Sequence, residues 1–159
     1  MGMSALSRDA LEQTKRTIIL NHYAHSWPSG KSWAFDVDGV IVVFSLPTSY
    51  TITRSILGGK NGAVLELSRL WAMDGHAPNA LSKAVSSACR FMLRIDPNVA
   101  AFVSYADPNN GHHGGVYRAC SWVELPDSKE TRGYVNASGT VKPRRAFHSG
   151  RRGLTRQEI

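Results

Sequence analysis

The order of apolar runs and turn signals predicts an α/β protein with a mixed sheet and helices on both faces. Three observations carry this expectation. Trp33–Val37 and Val40–Ser45 flank Asp38-Gly39, the strongest short hairpin signal in the chain. Ala63–Trp71 and the apolar run Val99–Val103 read as two further strands. Between them, Ala80–Arg94 places Leu81, Ala84, Val85, Ala88 and Met92 on one helical stripe. A strand–helix–strand–helix succession after an antiparallel hairpin yields a sheet of mixed sense.

The remaining elements follow in order. Ser7 is placed to cap a helix whose apolar positions are Ala10, Leu11, Ile18 and Ile19. Asn21–Lys31 reads as a loop, with Pro28 and Gly30 breaking regular backbone and Trp27 and Trp33 serving packing. Tyr50–Leu57 predicts a short helix stopped by Gly58-Gly59. Asn79 is positioned as the cap of the long helix. Val99–Val103 is short enough to be a buried strand and must end before Pro108. Val116, Tyr117 and Cys120 then lie at helical spacing. Trp122–Leu125 reads as a strand, and Arg132–Asn136 with Thr140–Lys142 as a second hairpin.

Length and charge bound the classes. The 159 residues suit one domain, expected over 1–159 with a basic tail from about 143. No apolar run approaches a membrane span, so no membrane partner is expected. Two cysteines, Cys89 and Cys120, both expected on helices, point to a reducing compartment, hence the cytoplasm (of the host cell, if the chain is phage-encoded). The net charge of +7 points to nucleic acid before other acidic surfaces. From Lys129 onward, the basic residues are opposed only by Glu130 and Glu158. Lys142, Arg144 and Arg145, beside a predicted strand, are the candidates for phosphate contact.

Chemistry is expected where the fourth strand ends. There Ser104-Tyr105-Ala106-Asp107-Pro108 leads into a turn carrying Asn109, Asn110, His112 and His113. The asparagines and proline suit the turn itself. Asp107 and His112 are read as functional, because turn geometry does not require a histidine. Ser104, Tyr105 and His112 are candidate substrate- or donor-binding residues, as is Ser82 in the first helical turn. Arg69 on the third strand is either a cation at the edge of a site or half of an ion pair with Glu66 or Asp107. The His22/His25 spacing is a weak metal signal, and no metal site is predicted.

Three segments carry a family resemblance. His22-Tyr23-Ala24-His25-Ser26-Trp27-Pro28-Ser29-Gly30, Leu65-Glu66-Leu67-Ser68-Arg69-Leu70-Trp71 and the stretch Ser104–Trp122 resemble, in order and spacing, motifs of the phage Mom family of DNA-modification proteins. The resemblance covers roughly Asn21–Val141. It implies conversion of adenine to N6-(carbamoylmethyl)adenine, which protects phage DNA from restriction. It also implies functional positions at His22, Tyr23, Arg69, Ser82, Asp107, His112 and Tyr117. On this basis the catalytic set is Asp107, Tyr117, Tyr23, His22 and Arg69. Asp107 would take the N6 proton or hold the amino group. Tyr117 would protonate a leaving group, Arg69 and Ser82 would stabilise a donor carbonyl, and His22 and Tyr23 would grip the base. Because the product carries a methylene on N6, the donor is either an activated glycyl group, such as glycyl-tRNA, followed by rearrangement, or acetyl-CoA.

The element order is also similar to the acyltransferase fold of the GCN5-related (GNAT) superfamily, with Ala63–Trp71 and Val99–Tyr105 as its two splayed central strands. That resemblance places Tyr117 where the superfamily often keeps a general acid. The superfamily's glycine-rich pyrophosphate loop should fall between Trp71 and Ser82, where this chain has one glycine, Gly75. Two rival readings are a small-molecule N-acetyltransferase using acetyl-CoA and a DNA-binding protein without catalysis.

Overall fold

The computed structural model describes residues 6–58, 60–125, 133–135 and 141–143. The chain divides into two compact units, Met1–Val123 and Glu124–Ile159. The first runs α1 (Arg8–Asn21), β1 (Ser32–Val37), β2 (Val40–Ser45), α2 (Tyr50–Leu57), β3 (Ala63–Ala72), α3 (Ala80–Ile95), β4 (Val99–Val103), a 3-10 turn at Pro108–Asn110 and α4 (Gly115–Ala119). The second holds an antiparallel hairpin of β5 (Gly133–Val135) and β6 (Val141–Pro143). Lys142 lies on β6, whereas Arg144 and Arg145 fall outside the described residues.

Strands of the first unit lie in the order β1-β2-β3-β4, antiparallel except for the parallel β3–β4 pair. This is the mixed α/β architecture that the element order predicts. Asp38 and Gly39 both take positive φ, 51° and 81°, as a tight turn between twisted strands requires. The Gly39 amide donates to Asp36 Oδ1 at 2.9 Å and closes that turn. β2 is buried along its whole length and feeds both faces. On one face Val40, Val42 and Phe44 join Phe35, Leu65 and Leu67 beneath Ala84, Val85, Ala88 and Met92 of α3. On the other, Ile41 and Val43 join Ala34 beneath Ile18 of α1.

β3 carries the feature that matters most for the site. Val43 of β2 stands opposite Arg69, and Phe44 opposite Leu67, so Ser68 is an extra residue between two pairs. Its hydroxyl donates to the Val43 carbonyl at 3.3 Å. The bulge re-phases the strand. Leu65 and Leu67 before it and Leu70 after it all join the α3-side core. Arg69, opposite Val43, is delivered to the α1 side.

β3 and β4 pair from Ala63/Val99 to Glu66/Val103 and then separate. The last tie is the Ser104 hydroxyl, which reaches the Leu67 carbonyl at 3.0 Å. β3 continues for six residues beyond Glu66, leaving an opening at the carboxyl ends of the parallel pair. Ligands of α/β sheets bind at such openings.

Some expectations are corrected. Trp122–Leu125 is not a strand: Ser121 adopts φ 59°, and the Trp122 amide turns back to the Tyr117 carbonyl at 3.0 Å. That turn commits Trp122 to packing against α4 rather than to extended pairing. Asn79 precedes α3 but is itself left-handed, and its side chain makes no capping bond. Of the stripe expected on α1, Ile18 is buried and Ile19 is exposed, with Thr14 buried in its place. β4 is buried only at Val99, because among the described residues it has a strand neighbour on one side only.

Phe44 is fully buried, and its ring lies 5.1 Å from that of Phe102 and 6.3 Å from that of Phe35. Phe44→Ala therefore leaves a cavity between β2 and β4, at a cost of about 3–5 kcal/mol. Urea denaturation of the two proteins measures it directly.

Candidate active site

Four segments converge around the opening between β3 and β4. The first is the end of α1. His22 is its C-cap, with its amide bonded to the Ile18 carbonyl at 3.0 Å, and it is only 5% exposed. Its Nδ1 accepts the Ala24 amide proton at 3.1 Å. A neutral imidazole that accepts at Nδ1 carries its proton on Nε2. Burial, then the nearby Arg69, His112 and His25, lower its pKa to about 4. His22 is thus a neutral ring at physiological pH, able to donate from Nε2 but not to serve as a cation.

Tyr23 stacks on His22 with ring centroids 4.3 Å apart, and its other neighbour is the His112 ring at 4.9 Å. Burial raises the Tyr23 pKa first, and the charge of Asp107 and the proximity of Tyr117 raise it further. Tyr23 accordingly stays a protonated phenol in a cluster whose remaining members come from β3 and from the segment after β4.

Arg69 enters from β3. Its Nε donates to the Ser26 carbonyl at 2.8 Å and its Nη2 to Ser26 Oγ at 3.0 Å, with Nη1 on the Ser68 carbonyl. The guanidinium therefore ties the loop after α1 to the bulged strand. Burial lowers its pKa, while Tyr23 and Glu66 oppose that shift. Ser26 and Ser68 thus hold the guanidinium, and the charge of Glu66 acts on it as well. Ser26 had no role in the sequence reading, although it lies within the segment that carries the first motif.

The third segment follows β4. Ser104 and Tyr105 leave the strand, and Tyr105 is exposed, with its pKa raised by burial and then by Glu66. The Asp107 carbonyl accepts the amides of Asn110 and His112, each at 3.0 Å. Its carboxylate Oδ2 accepts from Asn110 Nδ2 at 2.8 Å. This turn aims His112 at Tyr23, so the histidine that the turn itself does not need completes the aromatic row.

The fourth is α4. Tyr117 stacks on Trp122 at 5.5 Å, and its Oη lies 2.8 Å from Ser104 Oγ. Burial raises the Tyr117 pKa, and the Ser104 hydrogen bond acts against that rise. Trp122 is a contributor that sequence reading assigned to a strand. Only its spacing of five residues from Tyr117 could have signalled the stack.

Ser82 lies on the first turn of α3. Its hydroxyl donates to the Asn79 carbonyl at 3.1 Å, and it lines an open cleft of about 460 Å³ with Lys83, Ser86, Ser87 and Arg90. Its link to α4 is the Cys120 thiol, which donates to the Ser82 carbonyl at 3.4 Å. Nearby Cys89 has its pKa raised to about 12, chiefly by burial, so it is a packing thiol rather than a nucleophile. Among the described residues, no group of three or more His, Cys, Asp or Glu side chains is placed to hold a metal ion. Nor is any described helix long and apolar enough to cross a membrane.

Comparison with known proteins adds three findings. The Mom protein family matches residues 6–158. A relative from Escherichia phage Mu, named methylcarbamoylase mom, is 33% identical over 78 residues, which is 49% of this chain and 32% of the relative. The matched stretch thus spans about a third of that relative's length. A solved structure titled as a possible acetyltransferase from Clostridium difficile 630 superposes with a TM-score of 0.45 at 13% identity, over 79% of this chain and 76% of the other.

The neutral His22 has a pH signature. Its folded-state pKa lies below the ordinary 6.5, so the unfolded chain takes up a proton first as pH falls. Stability is fully present above about 6.5 and declines as pH drops towards 4, by on the order of 1–3 kcal/mol after allowance for screening. Unfolding midpoints between pH 7.5 and 4 should show this loss, and His22→Gln should flatten that part of the profile.

Proposed function

The chain belongs to the Mom protein family, and from that membership we propose that it is a transferase that modifies adenine at N6 in DNA. The product is N6-(carbamoylmethyl)adenine, and the consequence is protection of phage DNA from restriction. The observation that carries this reading is the convergence of Tyr23, Arg69, Asp107, His112 and Tyr117 at one opening of an acyltransferase-like sheet. Those residues come from the segments whose sequence carries the family's motifs.

The chemistry fits the arrangement. The N6 amine of adenine is a poor nucleophile, because its lone pair is delocalised into the ring. A carboxylate at the rim, Asp107, takes its proton as the new bond forms. The Tyr117 hydroxyl, sheltered against Trp122, supplies a proton to the leaving group of the donor. Tyr23, between His22 and His112, offers an aromatic surface for a base taken out of the helix. Arg69 gives the pocket a fixed positive wall. That product constrains the donor: it needs two carbons and one nitrogen beyond the adenine skeleton. An activated glycyl group brings all three atoms. After its carbonyl carbon bonds to N6 and the donor's leaving group departs, the free glycyl amine attacks C6, the C6–N6 bond breaks and the former N6 becomes the amide nitrogen. Acetyl-CoA brings only the carbons and would need a separate nitrogen source. DNA is the partner expected of this chemistry, with Lys142, Arg144 and Arg145 proposed as its backbone contacts.

Mass spectrometry of nucleosides from a bacterium expressing the chain tests the reading. The expected result is a new adenine nucleoside heavier by one glycine residue, absent with Asp107→Asn and reduced at least a hundredfold with Tyr117→Phe. Unmodified DNA from well-expressed soluble protein would replace this reading with the small-molecule N-acetyltransferase, for which coenzyme A binding is then measured by calorimetry.

A further inference from the structure

Ser104 poses a question of proton counting. Its Oγ lies 2.8 Å from Tyr117 Oη and 3.0 Å from the Leu67 carbonyl oxygen. A serine hydroxyl has one proton, and a carbonyl can only accept. When Ser104 donates to Leu67, its contact with Tyr117 is satisfied only if the phenol donates to Ser104. The resting order is then Tyr117 to Ser104 to Leu67. A phenolate reverses one link. It can only accept, and the Ser104 proton reaches it by rotation about the Cβ–Oγ bond, with no heavy atom moved.

The surroundings make this rotation the available response. Trp122 stacks on the Tyr117 ring, and its amide bonds the Tyr117 carbonyl, so the ring is held. Ser104 is the first residue past the end of β4, anchored at the point where β3 and β4 part. Cys120, which caps α4, acts on Tyr117, and Tyr117 in turn raises the pKa of Tyr23 after α1. Cys120 works against a negative charge on Tyr117, and the Ser104 hydrogen bond favours it.

Resting on the assignment of Tyr117 as the acid, we propose that Ser104 is a positioning residue for Tyr117 rather than a donor-binding one. It aligns the phenol before proton transfer and stabilises the phenolate afterwards. In the step itself the Tyr117 O–H bond breaks, its proton passes to the leaving atom of the donor, and the electron pair remains on Oη. Ser104 keeps its proton and turns it from the Leu67 carbonyl to Oη. Water re-protonates Tyr117, and the N6 proton leaves by way of Asp107. The burial-driven rise in the Tyr117 pKa, opposed by its Ser104 bond, agrees with this role.

Two measurements test the proposal. The first needs no activity: NMR titration of protein carrying 13C-labelled tyrosine, with the Tyr117 signal identified as the one lost in Tyr117→Phe. Ser104→Ala should move that signal's titration to higher pH, Ser104→Cys should move it less, and Ser104→Thr should restore it. The second is the rate of DNA modification. Ser104→Ala should lower it about ten- to a hundredfold, the effect of losing a hydrogen bond to a charged group, and should add nothing in the Tyr117→Phe background. An unmoved Tyr117 titration in both Ser104→Ala and Ser104→Cys overturns the inference, whatever the activity. A full Ser104→Ala effect on top of Tyr117→Phe also overturns it and returns Ser104 to the donor. Full activity in Tyr117→Phe overturns the acid assignment and the positioning role with it. Wild-type protein that modifies no DNA sinks the proposed function alone, because the titration remains readable.

Discussion

The site depends on one extra residue in one strand. Without the bulge at Ser68, Arg69 would share the face of Leu67 and point into the core beneath α3. A guanidinium left unpaired among Phe44, Val85 and Met92 would be prohibitively costly. With the bulge, the leucines on either side of Ser68 still reach that core, and the arginine emerges on the α1 side, where Ser26 receives it. The irregularity thus reconciles a continuous apolar face with a charged site wall on the same strand. It is secured by the Ser68 hydroxyl on the Val43 carbonyl and by the complete burial of β2 beside it.

The second constraint is the parting of β3 from β4. Parallel pairing stops at Glu66 and Val103, and Ser104 marks the fork. α3 closes one side of the sheet with a purely apolar stripe. The chemistry gathers from the other side and from the carboxyl end of β4. Tyr117 and Trp122 pack against the α3-side core, whereas His22 is buried at the end of α1. Electrostatic influence between Tyr23 and Tyr117 connects the two groups. Desolvation is the leading cause of the shifts of His22, Tyr23, Arg69 and Tyr117, so the His22 ring and the two phenols are held neutral before anything binds.

Much of this was legible in the sequence, for identifiable reasons. Asp38-Gly39, the α3 stripe and the Gly58 stop are local signals, and each element formed where its residues placed it. Asp107 and His112 stood out because turn geometry left them unexplained, and they do approach Tyr23. What sequence could not show was non-local. Alternation along β3 gives no sign of a bulge, since a bulge is defined only by the partner strand. Trp122 looked like strand because its apolar neighbours Val123 and Leu125 do, yet both are exposed and Ser121 turns the chain away. Ser82 was read as a candidate from the first helical turn and from the motif, and its hydroxyl there bonds the Asn79 carbonyl, a local contact.

The distances along the chain between these partners carry a consequence for how the protein comes to its native state. Arg69 meets Ser26 across 43 residues, and Ser104 meets Leu67 across 37. The first contact waits for β3 to pair with β2, and the second for the crossover through α3 to dock β4 beside β3; loop closure on that scale comes before any energetic return. The core beneath α3 has no such requirement at the β1–β2 hairpin, which is local. Folding should therefore build the hairpin early and complete the opening between β3 and β4 late. A chain still emerging from the ribosome would hold a partly formed sheet, with the cluster unassembled until α4 is in place.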